Sequence, residues 1–155
     1  MYRILLFSFV FLTLDQLSKW FVVFYLELNQ KLYLNLNNQI INFYMAWNKG
    51  INFGLFEGDS VVQAYVLTAI SIVISIVFFI WLRNSTSFLM HILAALVIGG
   101  ALGNAIDRLL YGAVADFINI TCCGLRNPYS FNLADVFIFI GLIGLLVFKF
   151  EEKQN

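Results

Sequence analysis

From Val61 to Leu82 the chain runs without a single charged side chain. A bilayer's hydrocarbon core, about 30 Å thick, is crossed by ~20 helical residues, so this run is expected to be a membrane span. Composition points the same way. Of 155 residues, 61% are hydrophobic and 12% charged, with mean hydropathy +0.86, figures that do not fit a water-soluble surface. A chain of this length has room for one domain. Its formal net charge is zero and it has no long Lys/Arg run, which leaves little for counterion release, so nucleic acid is not an expected partner.

Three more apolar stretches accompany the first. Ile4 to Leu26 is interrupted by Asp15, Gln16, Ser18 and Lys19. No small-x-small cleavage site follows its opening run and hydrophobicity resumes after Lys19, so we expect a retained span rather than a removed leader. Phe88 to Ile106 carries Gly99, Gly100 and Gly103, with Gly99 and Gly103 in a G-x-x-x-G step. Leu133 to Phe150 has Asp135 near its start and leads into the polar tail Glu151 to Asn155. The expected class is a mainly α membrane protein forming one domain over 1–155. Its four transmembrane helices would lie at about 4–26, 61–82, 88–106 and 133–150, with outside segments at about 27–60 and 107–132. An even number of spans puts both termini on one side.

Lys31 to Leu36 alternates polar and apolar residues, Ile41 to Asn48 does so more loosely, and Asn37-Asn38 between them is a turn signal. We therefore expect a small extracytoplasmic β-sheet between helices one and two, resting on the membrane surface. Cations divide almost evenly, with Arg3, Arg83, Lys149 and Lys153 on one side and Lys31, Lys49, Arg108 and Arg126 on the other. Discounting those of the second group that sit beside acids or in motif-like context favours cytoplasmic termini.

Ionisable groups at membrane depth are costly, so Asp15, Lys19, Asp107, Arg108 and Asp135 each need a reason, as does Asp116 if its segment lies at the surface. Asp15 and Lys19 stand i,i+4, the favourable order for an ion pair. For Lys19 a bundle-facing pair and a substrate contact stay open; for Asp15 the pair is favoured. Asp107-Arg108 reads as an internal charge pair or interfacial anchor. Asp116 and Asp135 have no cation three or four residues away. Two such carboxyls at one depth can share a proton, the arrangement in which one acts as acid and the other as base on a water. The alternative is helix capping, Asp135 being well placed for a helix dipole.

Other chemistries fit less well. The single histidine, His91, lies at the start of the third span, away from the acids, so a Ser-His or Cys-His couple is not expected there. No H-E-x-x-H or similar metal-ligand pattern occurs, and adjacent Cys122 and Cys123 make neither a C-x-x-C pair nor a zinc knuckle. No metal or cofactor is expected.

Five segments resemble the motif set of the lipoprotein signal peptidase (signal peptidase II) family. They are Asp15-Gln16-Leu17-Ser18-Lys19, Asn48-Lys49-Gly50 through Phe53, Gly99 through Arg108, Val114-Ala115-Asp116-Phe117, and Phe131-Asn132-Leu133-Ala134-Asp135. The resemblance runs along essentially the whole chain, in order. In the second motif Ile51 and Asn52 stand where the family usually has small residues. It implies an inner-membrane aspartic endopeptidase that removes signal peptides from prolipoproteins, cutting before a diacylglyceryl-modified cysteine, and that is sensitive to globomycin. It also implies that Asp116 and Asp135 are the catalytic pair. Asn104, Asp107, Arg108 and Asn132 match positions around that pair, and Asp15, Lys19, Asn48 and Gly50 match the other polar motifs. The expected partners are the lipidated substrate and membrane lipid, for a monomeric enzyme. A proton-coupled carrier or transport-complex subunit is the alternative, since intramembrane acids paired with cations mark those too.

Overall fold

The computed structural model describes residues 1–36, 40–50, 60–121 and 127–152. The first helix, α1 (Tyr2–Lys19), continues without a break into a π-helical stretch, Trp20–Tyr25. After a short turn, α2 (Leu28–Lys31), come strands β1 (Tyr33–Leu34) and β2 (Ile41–Asn48). Helices α3 (Ser60–Leu82) and α4 (Phe88–Tyr111) follow, then β3 (Val114–Ile120) and α5 (Leu133–Glu152). Among the described residues, three helices are long and apolar enough to cross a membrane: Tyr2–Tyr25, Val61–Leu82 and Phe88–Tyr111. The apolar part of the last, Leu133–Phe148, is shorter.

Helix α4 is the centre of the bundle, packed against α1, α3 and α5 and buried along most of its length. Its glycines make that possible. A Cβ on Gly99 would come within 2.8 Å of Phe11 Cβ and Ser8 O on α1, and one on Gly103 would strike the Asp15 carboxylate. With no side chain there, the two backbones approach closely enough for α1's polar groups to reach α4. The outer faces carry large exposed apolar side chains, among them Leu5, Phe9, Val73, Ile80, Phe139 and Leu146, as a surface solvated by lipid requires. Ser71 and Ser75 of α3 return their hydroxyls to Leu67 O and Ser71 O at 3.0 and 2.8 Å, so neither presents a free donor to hydrocarbon.

Two boundaries differ from the sequence expectation. Helix α4 runs five residues past Ile106, so Asp107 and Arg108 are helical rather than part of an outside loop. Charge did not end the helix because Asp107 turns inward; Gly112 ends it, at φ +71°, its N–H on Arg108 O at 3.0 Å. The first expected strand shrinks to Tyr33–Leu34, since Lys31 closes α2 and Leu32 takes φ +61°. Asn37 and Asn38, the expected turn, lie outside the described residues.

The sheet is antiparallel in the order β1-β2-β3, so it is not built only from the segment between helices one and two. Its third strand comes from beyond α4, pairing Ile41 with Ile120 and Asn48 with Val114 across a bulge between Phe43 and Ala46. Phe131 lines the far edge of β3, exchanging hydrogen bonds with Ile118 at 2.8 and 3.0 Å. Strand β3 is buried on both faces over most of its length, so the alternation that marks a half-exposed strand is missing from it. A small core of Val22, Val23, Leu28, Met45, Ala115 and Phe117 seats the sheet on the end of the first helix.

Candidate active site

Because successive strand residues point to opposite faces, Ala115 and Phe117 enter the core under the sheet while Asp116 faces the start of α5. There Asn132 precedes the helix. Its Oδ1 accepts from Asp135 N–H at 3.0 Å, and its own N–H donates to Asp135 Oδ2 at 3.2 Å, a reciprocal cap. The capping reading of Asp135 therefore holds for one carboxylate oxygen. The other, Oδ1, accepts from Asn104 Nδ2 at 2.9 Å.

Asn132 also reaches the second carboxylate. Fully buried, it donates through Nδ2 to Asp116 Oδ1 at 2.6 Å and to Asn104 Oδ1 at 3.2 Å. Asn48 on β2 donates to Asp116 Oδ2 at 3.0 Å and accepts Gly50 N–H at 2.9 Å. Gly50 adopts φ +107°, a conformation that residues with a Cβ rarely take. Each of the four carboxylate oxygens thus receives one donor. Asp116 is 2% exposed. Burial, with the nearby Asp135 charge adding to it, pushes its carboxyl up to about 6 against the opposing pull of Asn48, Asn132 and Lys19.

Beneath this pair lies an ionic layer. Lys19 Nζ contacts Asp15 Oδ2 at 2.8 Å, Asp107 Oδ2 at 2.9 Å and Asn104 Oδ1 at 3.1 Å. Asp15 Oδ1 accepts Ala134 N–H at 2.9 Å and Asp107 Oδ2 accepts Ala115 N–H at 3.1 Å. Each of these acids thereby ties a helix to the residue beside a candidate catalytic aspartate. Lys19 is 4% exposed and paired inside the bundle. Arg108 forms no ion pair with Asp107, because adjacent helical residues point apart. Its Nη1 lies 3.4 Å from Asn104 O, and Asp135, Asp116 and Asp107 all act on its charge. Four carboxyls, Asp15, Asp107, Asp116 and Asp135, share this end of the bundle with the cations Lys19 and Arg108.

In the sequence Gln16 is a polar interruption inside the first motif, with no role of its own assigned. Its Nε2 bridges Asp107 Oδ1 at 3.0 Å with Asp15 Oδ2 and Gly103 O, both at 3.2 Å. Its place next to Asp15 at membrane depth was the available signal. His91 is buried in the first turn of α4, ~20 Å along the helix from Asn104, and its ring nitrogens have no hydrogen-bond partner among the described residues. Ile51, Asn52, Phe53, Cys122, Cys123, Arg126 and Lys153 lie outside the described residues.

Fold and site together define a helical integral membrane protein with a carboxyl-rich polar layer at one end of its bundle. The family model described as Signal peptidase (SPase) II matches residues 7–151, and the chain belongs to that family. A lipoprotein signal peptidase from Methylobacterium radiotolerans is 42% identical over 106 residues, which are 68% of this chain and 61% of that protein. One from Rhodopseudomonas palustris is 40% identical over 143 residues, covering 88% of this chain and 85% of its own length. A solved bacterial membrane enzyme superposes with a TM-score of 0.78 at 25% identity, over 95% of this chain and 92% of that one. The family read from the motifs is borne out. The chain is a multi-pass peptidase of bacterial membranes, and the carrier reading is displaced.

Proposed function

We propose that this chain is an aspartic endopeptidase that removes the signal peptide from diacylglyceryl-modified prolipoproteins, cutting just before the lipidated cysteine. The observation that carries the reading is the joining of Asp116 and Asp135 through one buried asparagine, Asn132, at the end of the bundle. The relatives, named as lipoprotein signal peptidases, support the substrate class. The apolar signal helix would lie against the spans with its diacylglyceryl chains in lipid, so the membrane holds the scissile bond at the depth of the acids.

Asp116, the more buried of the pair, holds the shared proton and donates it to the scissile carbonyl oxygen. Asp135 takes a proton from the water whose oxygen attacks the carbonyl carbon. When the carbon–nitrogen bond breaks, the leaving amine takes a proton from Asp135, and Asp116 recovers one from the collapsing diol. The apparent pKa values of such a reaction belong to the pair. Asn48, Asn104 and Asn132 keep both carboxyls oriented, and the sheet closes over the substrate. In this reading α5 is a fourth crossing and both termini are cytoplasmic.

The test is cleavage of a diacylglyceryl-modified prolipoprotein by the purified protein in lipid. Asp116→Asn and Asp135→Asn should each lose roughly 100-fold or more in rate while remaining folded, and globomycin should inhibit the wild type. Near-normal cleavage by either variant would reassign the catalytic residues.

A further inference from the structure

An asparagine amide presents a donor on one side and an acceptor on the other, and nothing in its shape decides which way it turns. Three such amides face the carboxyl pair, and each is turned by a group that can only donate; for Asn48, which gives Nδ2 to Asp116 Oδ2 at 3.0 Å, it is Gly50 N–H, 2.9 Å from Oδ1. For Asn132 that group is the backbone N–H of Asp135, which holds Oδ1 at 3.0 Å and leaves Nδ2 for Asp116. For Asn104 it is Lys19. The ammonium, 3.1 Å from Asn104 Oδ1, has no acceptor to offer, so Nδ2 must point to Asp135 Oδ1 at 2.9 Å. The Asn132 amide, also donating to Asn104 Oδ1, agrees with that orientation.

We infer that Lys19 is a positioning residue that acts on the reaction through Asn104, by setting the amide's direction, in addition to neutralising Asp15 and Asp107. This rests on the proposed aspartic chemistry. Turned the other way, Asn104 would set Nδ2 against Asn132 Nδ2 and offer its oxygen to Asp135. It would then either repel the carboxylate or accept a proton from it, and in both cases the donor to Asp135 Oδ1 would be lost. Lys19 is held for this task from two sides, by Asp15 one turn earlier on α1 and by Asp107 on α4. The close approach at Gly103 brings those elements together.

Removing the ammonium also removes two ion pairs, so loss of stability and loss of orientation have to be separated. Lys19→Met is compared with Gln16→Met, which loosens the same ionic layer at Asp15, Asp107 and Gly103 without touching Asn104. Thermal midpoint, kcat and KM are measured on the folded fraction of each full-length protein in lipid. Both variants should lose thermal stability. Lys19→Met should lose about 100-fold in kcat, with KM little changed, and Gln16→Met a much smaller factor; the larger loss is the scale expected when an oriented donor is lost from a reacting centre. Lys19→Arg, which keeps a donor-only charged group, should recover a large part of kcat.

If Lys19→Met and Gln16→Met lose kcat equally, or if Lys19→Arg fares no better than Lys19→Met while still folded, the positioning role is overturned. If Lys19→Met does not fold, the comparison moves to Asn104→Asp, which still accepts from Lys19 but has no donor for Asp135. Normal kcat in that variant would equally overturn the inference. Failure of the aspartic reading itself would show separately, as cleavage that survives Asp116→Asn or Asp135→Asn.

Discussion

At Asp116 the folded chain holds a carboxyl whose proton is retained to about 6, well above its ordinary 3.8. A raised pKa means that the folded state binds more protons than the unfolded state between those values. Stability is therefore lost as pH rises through that window, and the full cost is present above it. A shift of this size corresponds to about 3 kcal/mol. We expect the thermal midpoint in detergent to fall from about pH 4 to about pH 7, and Asp116→Asn to flatten that fall. Equal slopes in the two proteins would place the dependence elsewhere. The sequence marked Asp116 and Asp135 as acids without a nearby cation. The motif resemblance put Asn104 and Asn132 around that pair and Asn48 in another polar motif, but not which oxygen each one reaches, because Asn48, Asn104 and Asn132 lie far apart in the chain and meet only through the fold.

Among the elements, α4 carries the most consequence per residue. Its G-x-x-x-G step was legible as a small-residue face, but not as the face that receives α1 and the Asp15 carboxylate. Gly103→Ala would drive a methyl into a carboxylate already held by Lys19 and by Ala134 N–H. It should cost about 1–3 kcal/mol of stability by overpacking. Leu109→Ala, at a site 55% exposed toward lipid, should cost much less. Unfolding of both variants in detergent checks this, and equal losses would show that the α1–α4 contact has room to spare. Strand β3 was missed because its residues are buried on both faces, and period-two reading detects only strands with one wet side.

For the molecule as a whole, the number of crossings decides where the ends lie. Helix α5 supplies an apolar stretch, Leu133–Phe148, shorter than the three long spans, and the helix itself continues to Glu152. If α5 crosses, both ends of the chain share one side. A reporter active only outside the cytoplasm, fused in turn before Met1 and after Asn155, should then stay silent at both ends. Activity at one end only would mean that α5 does not cross and would leave three spans.

The amino-acid sequence by itself determined the solvent, the helical spans and the family, because hydropathy and short ordered motifs are local properties of the chain. It also singled out the two acids, because an unpaired carboxyl near lipid is costly wherever it falls. Only the tertiary structure decided what surrounds them. Lys19 reaches Asn104 across 85 positions and Asp15 reaches Ala134 across 119, and no local pattern encodes a contact at that separation. The glycines of α4 let the helices come close enough for these groups to meet, and low-dielectric burial then makes each of their hydrogen bonds count.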